Sequence, residues 1–239
     1  GYGQPLYLDD SLFLGLEYPA GHNECRDGLT TLGHHPGRKI TQDFMECKSA
    51  VLGVSPAGKV EEWFQRYVSS FRLAPRFFIL YNSWYDIQRG TMSTDNFIKG
   101  YHGFKENLAD RHGVKLDAFV PDDGWQDHRS IWEIDKSIFP EGFKPLAEEL
   151  QKGGTRFGLW MPLTPVSGNL DIKWGSEHGY ETDTGVGHYC LSAPRYNAQL
   201  REVLRRYATD YNMNYFKHDF NAFDCSAEGH GHLPGSLYG

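Results

Sequence analysis

Much that would assign this 239-residue chain to a common binding class is missing from it. Lys and Arg number 24 against 31 Asp and Glu, a net charge of −7, and the pI is near 5.9. No run of Lys or Arg occurs, so a nucleic-acid backbone is not the expected partner. No stretch approaches the roughly 18 apolar residues of a membrane span, and no charged-then-apolar leader opens the chain. The sequence begins at Gly1 without a methionine and stops at Tyr238-Gly239 in a polar stretch. A piece of a longer protein is therefore expected, which leaves export and compartment open.

Cysteine is scarce: Cys25, Cys47, Cys190 and Cys225 form neither a C-x-x-C pair nor zinc-ribbon spacing. A Cys25–Cys47 disulfide and ordinary buried thiols both fit that pattern. Of the eleven histidines, His34-His35 and His230-Gly-His232 lie in loops rich in Gly and Pro. Neither pair has a Cys or carboxylate at ligand spacing, so no metal is expected. No organic cofactor is implied either.

Aromatics are plentiful, with 6 Trp, 14 Tyr and 15 Phe. Residues 1–57 carry short strand-like patches broken by turn residues. Ser11–Tyr18 is one, Arg38–Thr41 leads to another, and Ala50–Val54 is a third. These predict the end of an N-terminal β-sandwich domain. From Gly58 the period changes: Trp63, Phe64, Tyr67, Val68 and Phe71 fall at helical spacing. Residues 58–74 are therefore expected to be a linking helix, stopped by Ala74-Pro75.

Residues 75–239 alternate strand and helix. Apolar runs begin near Phe77, Leu116, Arg156 and Tyr215. Amphipathic helices are expected between them: one capped by Ser93, one from Pro140 to Lys152, and one from Pro194 onward. A βαβαβαβ series means a parallel sheet. The first strand ends in Asn82-Ser-Trp-Tyr-Asp86 rather than the Gly-rich phosphate loop of a doubly wound fold. The expected fold class is thus α/β, about four βα units forming the first half of a (β/α)8 barrel.

Two of the strand ends hold the chemistry. Val120-Pro-Asp-Asp-Gly-Trp-Gln126 and Tyr215-Phe-Lys-His-Asp-Phe-Asn221 are apolar runs that finish in carboxylates. An ionised carboxylate is costly to bury without partners, and barrel strands present catalytic groups at their C-terminal ends. Lys217 and Asp219 share one face by strand alternation. The lysine would keep Asp219 ionised, which suits a nucleophile, although a plain structural ion pair has the same pattern. At a strand end turned by Gly124, Asp122 and Asp123 could both reach one pocket and accept sugar hydroxyls. Trp84, Trp125 and Trp160 lie at three strand ends and suggest a stacking wall.

These motifs, with Phe157-Gly-Leu-Trp160, resemble successive strand-end motifs of glycoside hydrolase family 36, the α-galactosidase and α-N-acetylgalactosaminidase family. The resemblance runs from about Phe13 to Asn221, and Leu14–Glu17 through Pro56 is similar to the last strands of that family's β-supersandwich. It implies a retaining glycosidase acting on terminal α-galactosides or α-N-acetylgalactosaminides. By position, Asp219 would be the nucleophile and Lys217 would contact the sugar. Asp122 and Asp123 would hold the 4- and 6-hydroxyls, with Trp84, Trp125, Trp160 and Asn221 completing the substrate site. The acid/base aspartate is expected on a later strand, outside these residues. No nucleic-acid or membrane partner is implied, and the full-length protein could be a homo-oligomer. A raffinose-synthase-like transferase and a non-catalytic sugar binder are the alternatives.

Overall fold

A computed structural model describes residues 5–35 and 41–234. The chain divides into two compact units, one up to Arg76 and one from Phe77 onward.

In the first unit, β1 (Leu6–Leu8), β2 (Leu12–Leu16) and β5 (Ala50–Val54) form an antiparallel sheet in the order β1-β2-β5. A separate hairpin pairs β3 (His22–Arg26) with β4 (Leu29–Gly33). Its two-residue turn is Asp27-Gly28, with φ of 52° and 77°. Positive φ at both positions is what a hairpin-compatible turn requires, and Asp-Gly supplies it cheaply. Helix α1 (Val60–Phe71) groups with this unit. Its Phe64 meets the ring of Phe13 edge-on at 5.4 Å, and Tyr67 lies 5.7 Å from it. Phe13 is buried because β5 leaves room: a Cβ on Gly53 would fall 1.9 Å from its ring. The expected strand led by Arg38–Thr41 falls largely outside the described residues, and residues 41–49 carry none. Cys25 and Cys47 are exposed, unpaired thiols, so neither the disulfide nor buried thiols hold for them.

The second unit is built on four parallel strands: β6 (Leu80–Asn82), β7 (Ala118–Val120), β8 (Arg156–Trp160) and β11 (Tyr215–Lys217). Spatial order equals chain order, β6-β7-β8-β11, without the reversal of a doubly wound sheet. The register pairs Leu80 with Ala118, Ala118 with Arg156, and Tyr215 with Gly158. Strands are shorter than their apolar runs. Phe77 is 94% exposed, and pairing starts only at Leu80.

Between the strands run α2 (Thr94–Phe104) and, beyond a π-helical turn over 105–109, α3 (Asp110–His112), then α4 (Lys144–Lys152) and α6 (Pro194–Asp210). Ser93 caps α2 by accepting from the Asn96 amide, as its sequence position implied. Helix α6 turns Tyr196, Leu200, Val203 and Tyr207 inward. The short helix α5 (Ile172–Glu177) and the hairpin β9 (Thr182–Asp183)–β10 (His188–Tyr189) were not anticipated. Both are too short to show a period. The core is ring-rich, with Phe97, Phe119, Trp125, Trp132, Phe143 and Phe157 almost wholly buried.

Candidate active site

Three strand ends bring their polar residues to one place. On β7's end, Asp122 is 2% exposed, and its carboxylate is held on both oxygens. Oδ2 accepts from Asn82 Nδ2 at 2.6 Å and from Lys217 Nζ at 2.9 Å, and Oδ1 accepts from the Asp123 amide at 2.9 Å. The Asp122 amide donates to Ser83 Oγ at 3.0 Å. Burying a carboxylate this deeply is costly unless such donors satisfy it. Neighbouring β6 supplies two of these groups through Asn82-Ser83, where the strand turns into a 3₁₀ turn that Asn82 caps.

Asp219 leaves β11 differently. Its side chain is 36% exposed, with Oδ1 accepting from the Phe220 amide at 3.0 Å. Oδ2 lies 3.4 Å from Trp160 Nε1 and 3.6 Å from Lys217 Nζ. Lys217 therefore bridges the two aspartates, as strand alternation implied for Asp219 alone. The alternate face of the strand carries Phe216 and His218, stacked 3° from parallel, and His218 Nδ1 is 2.6 Å from the Met161 carbonyl.

Asp123 does not share its neighbour's surroundings. It pairs with Arg89 Nη2 at 2.6 Å and accepts from Gln126 Nε2 at 2.8 Å. Arg89 also donates to the Gly168 carbonyl at 2.9 Å. The turn depends on Gly124, whose φ is 118° and whose missing Cβ would meet Arg89 Cγ at 2.4 Å. The two aspartates thus have separate partners.

The stacking wall of three tryptophans does not form. Trp125 is 0% exposed, stacked on Trp132 at 5.8 Å, and donates to the Trp160 carbonyl at 2.9 Å. It is a core residue that no ligand can touch. Trp160 is 1% exposed and reaches the site only through its Nε1–H. Trp84, 42% exposed, is the one of the three that offers a free face. A tryptophan at a strand end looks the same in sequence whether it turns to the rim or to the core. Asn221 is a loop tie, its Oδ1 accepting from the Leu163 amide at 2.7 Å. Sequence reasoning gave Asn82 and Ser83 no separate role, although their strand-end motif marked them. Arg89, outside every motif, carried no signal.

The fold also corrects the view that His230-Gly-His232 lacks a cysteine partner. Cys190 and Cys225, both buried, lie beside the two histidines, which are neither exposed nor fully buried.

The chain has recognisable relatives. α-Galactosidase 2 of Pediococcus pentosaceus is 26% identical over 143 aligned residues, covering 54% of this chain and 20% of that protein. α-Galactosidase 1 of the same organism is 31% identical over 70 residues, 26% of this chain and 9% of the relative. The chain thus spans a minor part of either. No protein-family model matches it. Among solved structures, an α-galactosidase from Thermus thermophilus in complex with stachyose superposes with a TM-score of 0.59 at 21% identity, over 87% of this chain and 44% of that one. A family 36 α-galactosidase from Geobacillus stearothermophilus gives a TM-score of 0.61 at 18% identity, over 91% and 33%. In sequence the chain is similar to α-galactosidases, and in fold it is similar to the α-galactosidases of glycoside hydrolase family 36, the family its strand-end motifs resemble.

Proposed function

We propose that this chain carries the nucleophile half of a retaining α-galactosidase active site. The observation that bears most weight is Asp219: a part-exposed carboxylate at a parallel-strand end, beside an ammonium and an indole N–H. Asp219 would attack the anomeric carbon as the glycosidic bond breaks, giving a covalent glycosyl-aspartate. A second carboxylic acid, proposed on a later strand, would protonate the leaving oxygen and then activate water. In retaining enzymes these two groups stand about 5 to 5.5 Å apart.

Lys217 and Trp160 Nε1–H would stabilise the carboxylate when it departs again. Asp122, buried and bonded on both oxygens, would fix Lys217 and leave that part-exposed ammonium to meet a sugar hydroxyl. Asp123 and Arg89 would bind a second hydroxyl, and Trp84 would offer an apolar face to the ring. The four parallel strands in chain order support the first half of a (β/α)8 barrel, and the antiparallel strands of the first unit support the end of a preceding β-sandwich.

The test is hydrolysis of p-nitrophenyl α-D-galactoside and its N-acetylgalactosaminide counterpart by the full-length protein. Asp219→Ala should lower kcat by at least about 10³-fold. Azide should restore turnover and release a β-galactosyl azide. Near-normal activity in Asp219→Ala would end the assignment.

A further inference from the structure

Four ligand-type side chains converge in the second unit, on loops that the carboxylate cluster does not use. Cys190 directly follows β10, and Cys225, His230 and His232 lie on the segment after β11. One ligand atom from each lies within 4.8 Å of all the others. Cys190 Sγ is 3.2 Å from His232 Nε2, and Cys225 Sγ is 3.3 Å from His230 Nδ1. With Zn–S near 2.3 Å and Zn–N near 2.0 to 2.1 Å, a tetrahedral ion holds sulfur and nitrogen ligands roughly 3.5 Å apart. Both pairs are within a few tenths of an ångström of that spacing.

Two separate thiol–imidazole hydrogen bonds would explain each pair alone. They would not explain why both pairs close into one cluster around two buried sulfurs, 3% and 4% exposed. His232 fits the ligand role in detail. His232 Nδ1 lies 2.8 Å from the Leu233 carbonyl, which accepts its proton and leaves the lone pair on Nε2, the atom facing Cys190. Gly231, at φ 82°, supplies a left-handed bend between the two rings.

We propose that Cys190, Cys225, His230 and His232 bind one zinc ion in a closed four-ligand site. Two thiolates and two neutral imidazoles balance the charge of Zn²⁺, and binding releases the two thiol protons to solvent. With all four positions filled by protein the ion has no place for water or substrate, so its role is structural. It ties the segment that leaves β11 just beyond Asp219 to the β9–β10 hairpin. The Ser226 amide, which donates to Asp183 Oδ2 at 2.7 Å, makes the same tie in weaker form. The ion would hold the Asp219 strand end in place and would play no part in the chemistry.

The experiment is elemental analysis of the purified full-length protein after dialysis against a weak chelator. About one zinc per chain is expected from a closed four-ligand site. Cobalt(II) in its place should give thiolate-to-cobalt charge-transfer absorption and the intense d–d bands of a tetrahedral centre. Cys190→Ser and His232→Ala should each lose the ion and unfold at a lower temperature. Asp219→Ala should keep it, which separates this site from the proposed hydrolysis. Should the ligand variants fail to fold, the wild-type zinc content and cobalt spectrum still decide. A wild-type protein that holds no zinc and takes up no cobalt would overturn the proposal, as would a Cys190–Cys225 disulfide in its non-reduced mass.

Discussion

The ammonium of Lys217 donates to the carboxylate of Asp122 at 2.9 Å across an intervening strand, since β8 lies between β11 and β7. The contact joins the two acidic strand ends into one charge network. The Lys217 side chain is 32% exposed and that of Asp122 is 3% exposed. Removing the lysine therefore strands a buried charge, while the lysine itself could turn to water.

Lys217→Met should accordingly destabilise the protein by about 1.5 to 3 kcal/mol, the scale of a hydrogen bond to a charged group. Adding Asp122→Asn to it should cost less than the two single changes summed, because the second removes the charge the first left unpaired. Thermal unfolding of the four proteins in the cycle measures this. Additive effects would mean that the pair contributes nothing as a pair.

Trp125 and Trp84, both at strand ends, should separate cleanly. Trp125→Ala removes a ring stacked on Trp132 in the core and should cost about 3 to 5 kcal/mol. Trp84→Ala removes a half-exposed ring and should change stability little while raising KM for an α-galactoside several-fold. Unfolding and steady-state kinetics on both variants give the comparison, and a KM effect without destabilisation in Trp125→Ala would contradict the buried placement.

Asp123 and Arg89 form one unit at 2.6 Å, with Arg89 47% exposed. Either Asp123→Asn or Arg89→Ala should raise KM by about tenfold, worth about 1.4 kcal/mol. The double variant should be little worse than either single one. A pH–rate profile that loses one limb in Asp123→Asn would instead assign proton transfer to that residue.

Acid should loosen the loop after β11 through Asp183. Burial pushes this carboxyl up, but donors from Ser226, Val186 and Gly185 together outweigh it and hold it below the usual aspartate range. A group with a lowered folded-state pKa contributes stability above its unfolded value, near 3.9, and loses that contribution as pH falls through the folded one. Asp183→Asn should therefore be less stable than wild type at neutral pH, with the gap closing below about pH 4. Melting temperatures of both proteins across that range supply the check, and a constant gap would contradict it.

The order of strands and helices was legible because apolar runs and helical periods are local properties. Their ends were less so: the run from Phe77 is apolar, yet the sheet takes only Leu80–Asn82, where β7 offers partners. Within the site, Asp219, Lys217 and Asp122 stood out as charges at apolar strand ends. That Lys217 would favour Asp122 over the nearer-in-sequence Asp219 depends on sheet register, which no local pattern encodes. The same holds for Cys190 and Cys225, which helix α6 and strand β11 separate in sequence and the fold returns to one another.

If Asp219 is the nucleophile, the covalent intermediate forms on it and can be trapped there. The full-length protein would be treated with an activated fluorinated α-galactosyl substrate whose second step is slow, then digested and sequenced by mass spectrometry. The predicted result is a single fluorogalactosyl adduct on Asp219, formed as activity is lost and absent from Asp219→Ala. An adduct on Asp122, Asp123 or any other residue, or full inactivation without an adduct, would contradict it.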